Sequence, residues 1–149
     1  MYTRIVVGID GSELATKALR HAVVLAKKTG ARLFAVTSTE PSVLVTAGAE
    51  FMAVDTGAIV ADLEEIKAKS AQATLAAAEA LVAGEGLTIE KIHVPSSVAA
   101  DAILKTAEQQ GADLIVMGSH GRRGLGRLLL GSQAAEVLAR TTVPVLVVK

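Results

Sequence analysis

The sequence predicts an α/β fold, an open five-stranded parallel sheet with helices on both faces. Three observations carry that expectation. Short unbroken apolar runs rich in β-branched residues recur, as at Ile5 to Ile9 and Leu114 to Met117. Between them lie longer segments whose apolar residues return at helical spacing, and glycines or prolines stand at the junctions. A strand covered on both faces reads as a continuous apolar run, and parallel neighbours require long crossovers, which helices supply. At 149 residues the chain is sized for one domain over residues 1–149.

Each element has its own warrant. The first strand, Ile5 to Ile9, ends at Asp10-Gly11-Ser12. Leu14, Ala15, Ala18, Leu19, Ala22, Leu25 and Ala26 then form a helical stripe, with Ser12 as N-cap and Gly30 as the C-terminal stop. Leu33 to Val36 is the second strand, whereas Ser42 to about Thr56 has no decisive period and reads as loop with room for one helical turn. Ala58 to Val82, rich in Ala, Glu and Lys, reads as a long helix stopped by Gly84 and Gly86. Thr88 to Val94 is a third strand closed by Pro95, and Val98 to Gln110 is a helix capped by Gly111. Asp113 to Met117 is the fourth strand, Ser132 to Arg140 the last helix, and Val143 to Val148 the last strand, entered through Pro144.

Composition narrows the function. Tyr2, Phe34 and Phe51 are the only aromatics, so the core must be built from Val, Ile, Leu and Ala. Acidic and basic residues balance at 15 each, which argues against a broad electrostatic footprint for nucleic acid or an anionic membrane. The absence of Cys excludes disulfides, a thiolate nucleophile and a cysteine-ligated metal. The N-terminus meets a charge and a glycine too early for a secretory signal, and no apolar run approaches membrane-spanning length. A cytoplasmic protein without a membrane or nucleic-acid partner is expected.

The stretch from Gly118 to Ser132 carries the chemistry. It follows an apolar strand, is rich in glycine, contains Arg122, Arg123 and Arg127 but no carboxylate, and runs into a helix at Ser132. Glycines let backbone N–H groups approach an anion, and the first turn of a helix offers unpaired N–H groups carrying partial positive charge. In doubly wound sheets ligands lie at the carboxyl ends of the strands where the winding reverses. If the first and fourth strands are neighbours there, Asp10 supplies an acidic wall for sugar and base hydroxyls or amines, opposite a phosphate-friendly one. A G-x-x-x-x-G-K-S/T loop is absent, and no G-x-G-x-x-G stands at a strand end.

The spacing that does occur is Gly118-x2-Gly121-x9-Gly131-Ser132, followed by an apolar closing strand. In this the chain resembles the universal stress protein family in its ATP-binding branch. Val7 to Ser12 is similar to the family's first strand and turn, Asp113 to Gly121 to its fourth, and Val143 to Val148 to its last. The resemblance implies a Rossmann-like sheet of the adenine nucleotide alpha hydrolase type, with ATP, or ADP or AMP, between the first and fourth strands. It implies that Asp10 contacts base and ribose, with Ile9 beside it in the nucleotide site, that the Val36 backbone meets the adenine edge, and that Met117 and Gly118 border the ribose. Gly121, Gly131, Ser132 and Gln133 would hold the phosphates through backbone N–H groups and the Ser132 hydroxyl; of the three loop arginines, Arg122, Arg123 and Arg127, at least one is expected to screen their charge, with Arg122 the candidate. Mg2+ would arrive on the phosphates, since no dedicated metal site is expected. A homodimer pairing Val143 to Val148 across a two-fold axis would cover an apolar sheet edge.

One departure is visible: Ser97-Val98-Ala99 stands where many relatives carry a Gly-x-Pro turn, which affects the local loop and nearby adenine packing. His120 has no second histidine beside it, and His21 and His93 fall on a helix and a strand, where surface or satisfied positions are expected. No catalytic residue is nominated. The expected role is therefore a stress-response regulatory or protective module. The alternatives are a slow ATPase or autophosphorylating enzyme and a nucleotide-free interaction module of the same fold.

Overall fold

The computed structural model describes residues 1–42, 55–121 and 129–149. Its elements run β1 (Arg4–Gly8), α1 (Glu13–Thr29), β2 (Arg32–Thr39), α2 (Thr56–Gly84), β3 (Ile89–Pro95), α3 (Ala99–Gln110), β4 (Leu114–Gly118), α4 (Ser132–Arg140) and β5 (Val145–Val148). The strands form one five-stranded sheet in the order β3-β2-β1-β4-β5, with every neighbouring pair parallel. This is the α/β architecture the apolar runs predict.

The period of two along each strand sorts side chains between two cores. Ile5 and Val7 of β1, Leu33 and Ala35 of β2, and Leu114 and Val116 of β4 face α1 and α2. Their neighbours Val6, Phe34, Val36, Ile115 and Met117 face α3 and α4. Both cores are rich in alanine, Ala18, Ala22 and Ala26 from α1 and Ala100, Ala102 and Ala107 from α3, so the helices approach the sheet closely. Each fully buried Val, Leu or Ile contributes about 1.5–3 kcal/mol of transfer free energy.

The caps behave as the residue types dictate. Ser12 Oγ accepts the Ala15 N–H at 3.1 Å, and Gly30 and Gly111 close α1 and α3 in the left-handed region at φ 73° and 58°. Several boundaries differ from the sequence expectation. β2 runs on through Thr37, Ser38 and Thr39, which pair with His93, Val94 and Pro95 of β3. Hydropathy does not register this polar extension, although Thr is a good strand former. β5 starts at Val145, not Val143, because Thr141 Oγ1 accepts the Val143 N–H at 3.0 Å and Pro144 has none to give. α2 starts at Thr56, where Asp55 Oδ1 accepts the Ala58 N–H at 3.1 Å. Of the segment read as loop, residues 43–54 lie outside the described residues.

The strand order creates the feature that matters for function. The chain winds outward from β1 to β2 and β3, then crosses back to lay β4 on the other side of β1 and β5 beyond it. The winding therefore reverses between β1 and β4, and a crevice opens beyond the carboxyl ends of these two strands.

Candidate functional site

A cavity of about 800 Å³ opens at this crevice. Ile9, Asp10, Val36, Met117, Gly118, Gly121, Gly131, Ser132 and Gln133 all line it. Arg122, with Arg123 and Arg127, lies outside the described residues.

The floor is made by strand ends. Ile9 donates its N–H to the Val36 carbonyl at 2.8 Å, which holds the turn after β1 against β2. Asp10 Oδ1 accepts the Ser12 N–H at 2.9 Å, so this carboxylate helps to start α1 as well as bordering the cavity. Two glycines keep the floor open. A Cβ at Gly8 would stand 2.7 Å from Ile103 Cδ1, and one at Gly121 would stand 2.7 Å from Asp10 Oδ2.

The roof is the start of α4. Its N-cap, Gly131, has no side chain to bond back onto the first turn, and the Gly131 N–H donates to the Ser119 carbonyl at 2.7 Å. This corrects one expectation: the Gly131 amide is already spent on the end of β4, so Gly131 serves the cavity through its lack of a side chain. A Cβ there would meet Ser119 O at 2.8 Å and His120 Cα at 2.9 Å, both backbone atoms. The next three amides, of Ser132, Gln133 and Ala134, find no acceptor among the described residues, and the first intrahelical bond from this end is Ala135 N–H to Gly131 O at 3.0 Å. The contrast with α1 is direct, since Ser12 Oγ and Asp10 Oδ1 occupy donors at that helix start. The α4 terminus thus combines free donors with the positive end of the helix dipole, an arrangement suited to an anion.

His120 also lines the cavity, with its Nδ1 3.1 Å from the hydroxyl of buried Ser119. His93 pairs through Nε2 with Thr39 Oγ1 at 2.9 Å, a structural contact at the end of β2.

Two parts of the site have no counterpart in the sequence reading. The first is a wall from α2, where Lys67, Ser70 and Thr74 recur at helical spacing toward the cavity. Lys67 Nζ donates to the Glu40 carbonyl at 2.6 Å, and Glu64 Oε1 accepts the Ser42 N–H at 2.9 Å, fastening the chain after β2 to this helix. Ser42, whose N–H donates to it, holds the Glu64 carboxyl below the usual carboxylate range, aided by Lys67. The available signal was a polar stripe on a helix otherwise rich in alanine. The second is the Gln133 side chain, whose Oε1 accepts the Ala100 N–H at 2.8 Å. Val98, the N-cap of α3, makes no side-chain cap bond, so α4 supplies the acceptor that α3 lacks.

The Universal stress protein family matches residues 1–149. A universal stress protein of Methanocaldococcus jannaschii is 34% identical over 151 residues, spanning 100% of this chain and 83% of that relative. A solved universal stress protein in complex with cAMP is 28% identical, superposes with a TM-score of 0.72 and covers 99% of this chain and 97% of its own. The universal stress protein from Archaeoglobus fulgidus in complex with dAMP is 25% identical, with a TM-score of 0.67 and coverage of 99% and 98%. No helix among the described residues is long and apolar enough to cross a membrane. With strand order, glycine spacing and a full-length match in agreement, the chain belongs to the universal stress protein family.

Proposed function

We propose that this chain is an ATP-binding universal stress protein, a single-domain cytoplasmic module that works as a homodimer. The observation that carries the reading is the set of N–H groups at Ser132, Gln133 and Ala134 that have no acceptor among the described residues and open on the cavity that Asp10 and Val36 border. The polyphosphate lies against the start of α4, with the Ser132 hydroxyl as a further donor, and the nucleoside lies over the ends of β1 and β2. Two universal stress proteins solved in complex with cAMP and dAMP support an adenine nucleotide as the ligand class. A few charge-assisted hydrogen bonds at about 1.5–3 kcal/mol each, with a helix terminus worth about 0.3–2, offset the cost of association to give micromolar affinity. Mg2+ is carried by the phosphates. The dimer pairs β5, an edge strand of apolar residues, with its copy.

The test is mass spectrometry of the small molecule released when freshly purified protein is denatured, with calorimetric titration of the emptied protein by ATP, ADP and AMP. An adenine nucleotide in the released fraction and micromolar binding are expected. No heat with any of the three at millimolar concentration overturns the reading.

A further inference from the structure

We propose that the side chain of Gln133 is a specificity-determining donor that reads the ligand's phosphates, held in position by helix α3. The inference rests on the nucleotide reading above and extends it to a side chain that no glycine motif requires.

A backbone N–H can only donate, so the bond from Ala100 N–H fixes which end of the carboxamide faces α3: it is the oxygen. The NH2 end is thereby turned to the other side, and it has no acceptor among the described residues. Gln133 lines the cavity beside Ser132 and Ala134, and its own N–H is one of the unbonded donors of the first turn. Side chains on a helix tilt toward its N-terminus, which brings this carboxamide toward the end where the anion is expected. One residue thus offers a main-chain and a side-chain donor at the same helix end, and its rotamer is fixed before any ligand arrives. Without that anchor a glutamine side chain would lose rotamer freedom on binding and contribute less.

The arrangement also answers the missing cap of α3. Val98 gives its helix no side-chain acceptor, and Gln133 Oε1 supplies one from the neighbouring helix. The two roles separate by substitution. Gln133→Glu keeps an oxygen for Ala100 and places favourable negative charge at two helix starts, while replacing the NH2 donor with a repelling oxygen. Gln133→Met removes both.

Calorimetry with ATP, AMP and adenosine on the full chain and both variants, alongside thermal unfolding, tests the proposal. For Gln133→Glu the expected result is a loss of ATP affinity of about tenfold or more, a smaller loss for AMP, unchanged adenosine binding and an undiminished melting temperature. For Gln133→Met both ATP affinity and melting temperature fall. Wild-type ATP affinity in Gln133→Glu, or an equal loss for adenosine and ATP, overturns this inference alone. Absence of nucleotide binding by the unaltered chain overturns the nucleotide reading and this inference with it.

Discussion

Gly131 donates its N–H to the Ser119 carbonyl at 2.7 Å, and the place a Cβ would take is filled by Ser119 O and His120 Cα, so α4 begins hard against the segment that follows β4. The backbone at Gly131 is ordinary, with φ −62° and ψ 155°, so the requirement for glycine is one of space alone. Gly131→Ala places a methyl group 2.8 Å from the Ser119 carbonyl oxygen. The helix start must then move away, at a cost of about 1–3 kcal/mol. Chemical denaturation checks the stability loss, and titration should show weaker ATP binding because the three free amides shift with the helix.

Asp113 ties the beginnings of β1 and β4 together at the opposite end of the sheet. Its carboxylate accepts from the Thr3 N–H at 2.8 Å, the Thr3 hydroxyl at 2.7 Å and the Arg4 N–H at 2.9 Å. Burial pushes this carboxyl up, but the Arg4 and Thr3 donors outweigh it and hold it below the ordinary aspartate value. A carboxyl depressed in the folded state adds stability above its unfolded pKa, and that contribution disappears as pH falls through the folded value. Asp113→Ala is expected to cost about 1–2 kcal/mol at neutral pH, with the difference from wild type shrinking below about pH 4. A gap between the two proteins that stays constant down to pH 2 contradicts this account.

Glu64, on α2 and bonded to cavity-lining Ser42, follows the same direction. Its depressed pKa means that the bond from the Ser42 N–H is strongest when the carboxylate is charged and weakens on acidification. Protection of the Ser42 amide from hydrogen exchange, measured relative to an unstructured peptide, is expected to fall as pH drops through the folded pKa. In Glu64→Gln that dependence should vanish.

Ser12→Ala tests the start of α1. The substitution removes the acceptor of the Ala15 N–H and is expected to lower stability by about 1 kcal/mol, whereas Ser12→Asp should restore it. Urea midpoints of the two variants provide the comparison.

Much of this architecture was legible because local signals agreed with the tertiary outcome. The unbroken runs of β1 and β4 marked strands covered on both faces, and Ser12, Gly30 and Gly111 sat where caps require them. The extension of β2 through Thr39 was not legible, because pairing with β3 and not hydropathy sustains it. The spacing of Gly121, Gly131 and Ser132 located the crevice, but only the folded chain shows which amide at α4 is spent and which find no acceptor among the described residues. The α2 wall and the Gln133 bond to Ala100 depend on contacts between residues 33 positions apart or on separate elements, and no local pattern encodes such contacts.

The close approach at Gly131 bears on the crevice more than on the cores. The obstruction there would come from main-chain atoms, whereas the aliphatic residues of the two cores lie on strands and helices that do not depend on an empty crevice. One added carbon at residue 131 therefore displaces the helix start that borders the crevice while the side chains of both cores keep their partners.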